Sequence, residues 1–182
     1  MDRFRLRREE TAVLIVDIQE RLCSAMSPER LERMVNRTCA LIRGARTLDL
    51  PVFYTEQYPK GLGPTLEPVR ACLEGVPRCE KLKFSSWTPE LHSALAGRPR
   101  VLIAGMEAHI CVFQTARDLV EQEFVPYLCR DAIISRSDED RESGLRLAAE
   151  AGAVVTTVES ALFDLIGVAG TPEFKAISSA VK

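Results

Sequence analysis

Residues 101–119 have the sequence VLIAGMEAHICVFQTARDL, an apolar run followed by a change of hydrophobic period. The run predicts a buried strand that ends at Gly105, and from Ile110 to Leu119 the apolar residues follow helical spacing. Cys111 is therefore expected at or near the first turn of a helix that follows a strand. Unpaired backbone N–H groups and the helix dipole favour a thiolate there, as for a nucleophile, although a small buried residue has the same pattern.

Strand and helix signals alternate along the whole chain. Strand candidates lie at residues 11–16, 51–55, 77–83, 100–104, 125–129 and 154–157. Helical patterns lie at residues 31–48, 88–95, 111–122, 137–151, 160–166 and 172–181. This alternation predicts βαβ units, a parallel sheet and helices on both of its faces. We expect one α/β domain over residues 1–182, because no linker or repeat divides the chain.

Composition excludes several classes of partner and location. With 46% hydrophobic and 27% charged residues, the chain has the make-up of a soluble globular protein. The net charge of −2 does not indicate nucleic-acid binding, and no stretch reaches the ~20 apolar residues of a membrane span. Six cysteines without a C-x-x-C pair or a signal peptide predict reduced thiols in the cytoplasm, and the spacing of the two histidines does not suggest zinc.

Three polar residues follow three different strand candidates. Asp17 and Lys81 end the first and third, and Cys111 lies just beyond the fourth. Ligands of an open α/β sheet bind at the carboxyl ends of its strands, so an acid, a cation and a thiol are expected at one edge. Alternatively, Asp17 could cap a helix, Lys81 could be a solvated charge, and Cys111 could belong to the core.

The sequence around these residues resembles the isochorismatase-like hydrolases. The matching blocks are LIVDIQ at 14–19, KLKFSSW at 81–87 and GMEAHICV at 105–112, in the order and spacing of that family. The resemblance extends from about residue 11 to the C-terminus. It implies a three-layer α/β/α sandwich with a mostly parallel six-stranded, Rossmann-like sheet. It also implies a catalytic triad of Asp17, Lys81 and Cys111, and a cis peptide near Met106–Glu107.

The segments TEQYPKGLG at 55–63 and GMEAH at 105–109 are most similar to the isochorismatase domain-containing proteins, which often have no assigned substrate. The metal-binding nicotinamidases carry histidines after the second strand, where this chain has Glu56-Gln57-Tyr58-Pro59. We therefore expect no metal and no cofactor. The isochorismate-cleaving enzymes have glycine where this chain has Cys111, so the thiol favours covalent catalysis at a carbonyl carbon.

These observations lead to the hypothesis of a cysteine hydrolase that cleaves a C–N bond of a small amide or carbamoyl substrate. Asp17 would take the thiol proton and the Lys81 charge would favour the thiolate, so we expect the pKa of Cys111 to lie below ~8.5. Backbone N–H groups of the turn through Glu107, Ala108 and Cys111 would form the oxyanion hole. His109 is expected to orient this turn rather than to form a dyad with Cys111.

Candidates for the substrate pocket are Gln19, Tyr54, Tyr58, Phe84 and Trp87. Gln19 could bond the substrate or Lys81, or it could face solvent.

Two alternatives to the cysteine hydrolase remain: an isochorismatase-type ether hydrolase with Asp17 as the acid, and a non-catalytic, thiol-sensing oligomer. The partners expected are a small molecule and further copies of the chain, as a dimer or tetramer. The oligomer is suggested by the apolar stretch at 161–166 and by the family resemblance.

Overall fold

A six-stranded parallel sheet forms the centre of the protein in the computed structural model, which describes residues 2–181. The predicted domain limits, residues 1 and 182, lie just outside the described residues. The strands are β1 Thr11–Val16, β2 Val52–Gln57, β3 Arg78–Lys81, β4 Arg100–Met106, β5 Val125–Ile134 and β6 Val154–Thr156. Their order is β3-β2-β1-β4-β5-β6, and every neighbouring pair is parallel. All six predicted strands are present, which confirms the α/β fold class.

Within the described residues, nine α-helices and one π-helix lie between or after the strands. They are α1 Glu20–Cys23, α2 Pro28–Thr47, α3 Pro59–Leu62, α4 Glu67–Cys72, α5 Pro89–Ala94, the π-helix Ala108–Val112, α6 Phe113–Glu121, α7 Asp138–Glu150, α8 Val158–Ile166 and α9 Pro172–Ala180. The sequence did not predict α1, α3 and α4, because four to six residues are too few to show a helical period. Strands β2, β4 and β5 extend past their predicted ends, to Gln57, Met106 and Ile134.

The sheet is buried on both faces, which produces the three-layer sandwich. In β1, Val13 and Ile15 join a core cluster that includes residues of α2, α8 and α9. Leu14 and Val16 point the other way, into a cluster formed with α5, α6 and α7. A strand covered on both faces has a continuous apolar sequence, and this explains why TAVLIV lacks alternation.

The apolar stretch at 161–166 is used largely within the chain itself. Ala161, Leu162, Leu165 and Ile166 are buried in the cluster around α2, where Leu162 lies over Gly44. Phe163 is partly exposed. This stretch therefore covers the sheet and does not by itself argue for an oligomer. Within residues 2–181, no helix is long and apolar enough to cross a bilayer, and all six cysteines, which lie in this range, are unpaired.

Gly105 allows β4 to lie unusually close to β1 just before the site. Its φ is +137°, it pairs in register with Val16, and the β4–β5 register shifts between Ile103 and Gly105. A Cβ at this position would lie 2.0 Å from the Val16 carbonyl oxygen. Only glycine tolerates both the backbone conformation and this contact.

We predict that Gly105→Ala lowers the free energy of unfolding by more than about 3 kcal/mol, because it combines left-handed strain with a backbone clash. Gly97→Ala is the matched control, since Gly97 also has a positive φ (+79°) but a Cβ there would have no described atom within 4 Å. It should cost only about 1–2 kcal/mol. Denaturant unfolding measures both, and equal losses would show that the close approach of β4 to β1 is unimportant.

Candidate active site

The carboxyl edge of the sheet brings Asp17, Lys81 and Cys111 together from three elements. Asp17 follows β1 in a left-handed conformation (φ 51°), Lys81 is the last residue of β3, and Cys111 lies in the π-helix after β4. Their exposed fractions are 0%, 5% and 4%. A carboxylate, an ammonium and a thiol thus share one water-poor site, as expected from the positions of the strand ends.

Asp17 and Lys81 form a buried ion pair. Lys81 Nζ donates to Asp17 Oδ2 at 2.5 Å and to the carbonyls of Lys83 (3.2 Å) and Phe84 (2.9 Å). These contacts use all three donors of the ammonium. Burial raises the pKa of the Asp17 carboxyl, while the Lys81 charge and a 2.7 Å bond from Thr55 Oγ1 to Oδ1 oppose that rise.

A chain of hydroxyl groups connects the Asp17 carboxylate to the backbone of Cys111. Because Thr55 gives its proton to Asp17, Ser86 Oγ donates to Thr55 Oγ1 at 3.2 Å. The Ser86 amide donates to Thr115 Oγ1 at 2.8 Å, and Thr115 in turn donates to the Cys111 carbonyl at 2.6 Å. Sequence reasoning missed these three residues, although Thr55 could have been found by its place near the end of β2.

Cys111 lies in a π-helical turn rather than at the start of an α-helix. The Glu107 carbonyl accepts from the amides of Ile110 (3.1 Å) and Val112 (3.2 Å), the residues before and after Cys111. Neither bond involves the amide of Cys111. Turns of this kind are frequent at functional sites. The Met106–Glu107 peptide that precedes the turn is cis, as the family resemblance implies.

The Cys111 thiol is protonated at neutral pH, so the expectation of a lowered pKa is wrong. Burial and the negative charges of Asp17 and Glu107 together raise the pKa of the thiol to about 12, and the Lys81 charge opposes them. The thiol donates to Gln57 Oε1 at 3.3 Å. Desolvation and the nearby carboxylate outweigh the dipole of a short helical turn, which the strand–helix pattern had suggested as the dominant influence.

Residues of the turn are held mainly by Ser135 and Arg136. The Ser135 hydroxyl accepts from the Ala108 amide (3.0 Å) and bonds His109 Nδ1 (3.1 Å). The Glu107 carboxylate accepts from the amide and Nε of Arg136 at 3.0 and 3.1 Å. His109 thus contacts Ser135, in keeping with a role in orienting the turn. The Ala108 amide is already bonded and is a poor oxyanion donor.

Gln19 has a structural position, and two of the roles considered for it, a bond to Lys81 and exposure to solvent, are wrong. Its side chain is fully buried, with Oε1 accepting from the Gln57 amide at 2.7 Å. Its Nε2 donates to the carbonyls of Gln57 (3.0 Å) and Gly63 (2.7 Å). Gln19 therefore bonds neither Lys81 nor solvent, and its donors are not free for a substrate. It fixes the end of β2, and with it Gln57.

Only two of the four aromatic pocket candidates lie exposed. Tyr58 and Phe84 are 53% and 52% exposed, and the backbone of each bonds Lys81. Tyr54 is wrong as a pocket residue, because alternation along β2 places it opposite Thr55 and Gln57, packed on the α2 side.

Trp87 is partly buried and packs against the second core cluster, which also contains Cys111. Its ring packs on His92 and Phe124, at centroid distances of 5.2 and 5.5 Å. Within residues 2–181, no three His, Cys, Asp or Glu side chains are grouped so that they could hold a metal ion.

Residues 11–160 match the family model described as the isochorismatase domain. The chain belongs to the isochorismatase family. It is 34% identical over 185 residues to the "Secreted isochorismatase effector Isc1" of Phytophthora sojae, covering 98% of this chain and 87% of that protein. The isochorismatase domain-containing protein 1 of Danio rerio is 42% identical over 78% of this chain. The chain spans only about half (51%) of that protein's length.

A solved structure described as the MAR1 ribonuclease of Caenorhabditis elegans superposes with a TM-score of 0.92 and 34% identity. The match covers 97% of this chain and 92% of that one. The family and the parallel-sheet architecture together establish the isochorismatase-like hydrolase fold.

We predict that iodoacetamide at neutral pH labels the partly exposed Cys72 and Cys79 before Cys111. Cys111 is nearly inaccessible and holds its proton, and the thiolate is the reactive form. Peptide mass spectrometry of partly labelled protein gives the order. Preferential labelling of Cys111 would mean that the resting thiol is already ionised.

Proposed function

We propose that this protein is a cysteine hydrolase that cleaves a C–N bond of a small amide or carbamoyl substrate through a thioester. The observation that carries the proposal is a buried thiol close enough to the buried Asp17–Lys81 ion pair for both charges to act on its pKa. A nucleophile next to a positioned base is the arrangement that covalent acyl transfer requires. Since the resting thiol is protonated, Asp17 has to act as a base in each turnover.

In the proposed reaction, Asp17 takes the Cys111 proton as Sγ attacks the carbonyl carbon. The C–N bond of the tetrahedral intermediate then breaks, and Asp17 returns that proton to the leaving nitrogen. A water molecule gives a proton to Asp17 and attacks the thioester, and the C–S bond breaks with return of the proton to sulfur. Burial raises the pKa of Asp17, which makes its carboxylate a stronger base for these transfers.

The oxyanion is proposed to bind the amide of Cys111. The Glu107 carbonyl accepts from the amides on either side of Cys111 and not from the Cys111 amide itself. The Ala108 amide already donates to Ser135 Oγ. The Glu107 amide remains a second candidate. Stabilisation by donors fixed in advance is commonly the largest single contribution in acyl transfer.

The alternatives fit the site less well. A redox-sensing cysteine needs a low pKa and exposure to solvent, whereas Cys111 is buried and its pKa is raised. An ether hydrolase needs only a protonated Asp17, and it would leave the buried thiol beside that group without a role. Amide hydrolysis uses all three side chains.

Exposed apolar residues beside the site support a homo-oligomer, either a dimer or a tetramer. On the loop after β3, Leu82 is 79% and Phe84 52% exposed, and Tyr58, which follows β2 and bonds the Lys81 carbonyl, is 53% exposed. Burial of such residues between copies would be favourable.

The cytoplasmic location is also part of the proposal; it is supported by six unpaired cysteines, and cell fractionation would test it.

We predict that Cys111→Ala lowers kcat on any hydrolysed amide by at least about a thousandfold, because the thioester route is lost. Asp17→Asn should have a similar effect, since the same carboxylate serves as base and acid. Cys79→Ala, which removes a partly exposed thiol outside the site, is the control and should keep its activity. Turnover by Cys111→Ala would favour the ether-hydrolase alternative.

We also predict that light scattering at micromolar concentration gives the mass of a dimer or tetramer. Leu82→Ser should shift the protein toward the monomer, because it removes exposed apolar surface. Val168→Ser, which changes another exposed apolar residue (64% exposed), is the control. A wild-type monomer would contradict the proposed assembly.

A further inference from the structure

Gln57 is a hydrogen-bond partner of the candidate nucleophile, in addition to Asp17, although it was not among the sequence-predicted site residues. Its Oε1 accepts the Cys111 S–H at 3.3 Å, while its Nε2 makes only a long 3.4 Å contact to the Leu82 carbonyl. Alternation along β2 places Gln57 on the same face as Thr55, which bonds Asp17.

The backbone of Gln57 is fixed while its terminal amide has few partners. Gln19 bonds both the amide and the carbonyl of Gln57. The preceding Glu56 accepts from the amide and hydroxyl of Thr65, each at 2.7 Å. The carboxamide is thus held at the thiol, and rotation about its terminal bond breaks only two weak contacts.

Lys81 cannot donate a hydrogen bond to the thiolate without losing a present partner. Its three N–H donors are directed to Asp17, Lys83 and Phe84. The charged groups that act on the Cys111 sulfur are Asp17 and Glu107, which disfavour ionisation, and Lys81, which favours it. A thiolate formed here needs a further donor close to the sulfur.

We propose that Gln57 is a positioning residue that holds the Cys111 proton at rest through Oε1 and, after a half-turn of its carboxamide, stabilises the thiolate through Nε2. This inference deepens the proposed function and rests on it. A carboxamide carries an acceptor and a donor at the end of one side chain, and a half-turn exchanges them at the sulfur. A carboxylate could accept from the thiol but would repel the thiolate, and a thioether has no N–H to offer.

The test is the rate of Cys111 alkylation by iodoacetamide as a function of pH, measured by peptide mass spectrometry in the otherwise unchanged protein. Gln57→Glu keeps the shape of the side chain and should slow labelling at least about tenfold at a given pH, because added negative charge disfavours the thiolate. Gln57→Met should slow it less, because it removes the donor without adding charge. Gln122→Glu, an exposed charge change at the end of α6, should have no effect.

The order of rates separates this role from a merely structural one. Lost packing would affect both Gln57 variants without a preference for charge and would appear as a lower Tm. Equal labelling of wild type and Gln57→Glu, or faster labelling of Gln57→Met than of wild type, would overturn the proposal. Because the readout is thiol chemistry, failure to find an amide substrate would count against the proposed function and leave this result intact.

Discussion

The ion pair between Asp17 and Lys81 is the interaction on which the site depends. The two residues end strands that are separated by β2, so the lysine side chain crosses the end of that strand to reach the carboxylate. Removing one partner of such a buried pair leaves an uncompensated charge, at a cost of about 3–5 kcal/mol. The pair therefore connects the parallel topology of the sheet to the chemistry at its edge.

The nucleophile depends on this pair in turn. In the proposed mechanism, the protonated Cys111 thiol becomes a nucleophile when Asp17 accepts its proton. The surrounding groups are arranged for that transfer: Thr55 orients the carboxylate, the three donors of Lys81 are all engaged, and Gln57 holds the thiol.

The sequence predicted the strands and the convergence of Asp17, Lys81 and Cys111 because both follow from local patterns and one topological rule. Continuous apolar runs mark buried parallel strands, and their carboxyl ends share an edge. The pocket residues were harder to predict, because side-chain direction and partners are set by tertiary contacts. The Gln19 side chain bonds the backbone of Gln57, and Trp87 packs against the second core cluster. The protonation of Cys111 was missed for the same reason, since burial cannot be seen in a strand–helix pattern.

The central claim, that Cys111 forms a covalent acyl intermediate, is tested most directly by intact-mass spectrometry of rapidly quenched protein. The protein would be mixed with a panel of small aliphatic and aromatic amides and N-carbamoyl amino acids. The account predicts an adduct of acyl mass with at least one compound, cleaved by hydroxylamine and absent from Cys111→Ala. Hydrolysis of a panel member with no adduct at any quench time, and the same turnover by Cys111→Ala, would contradict it.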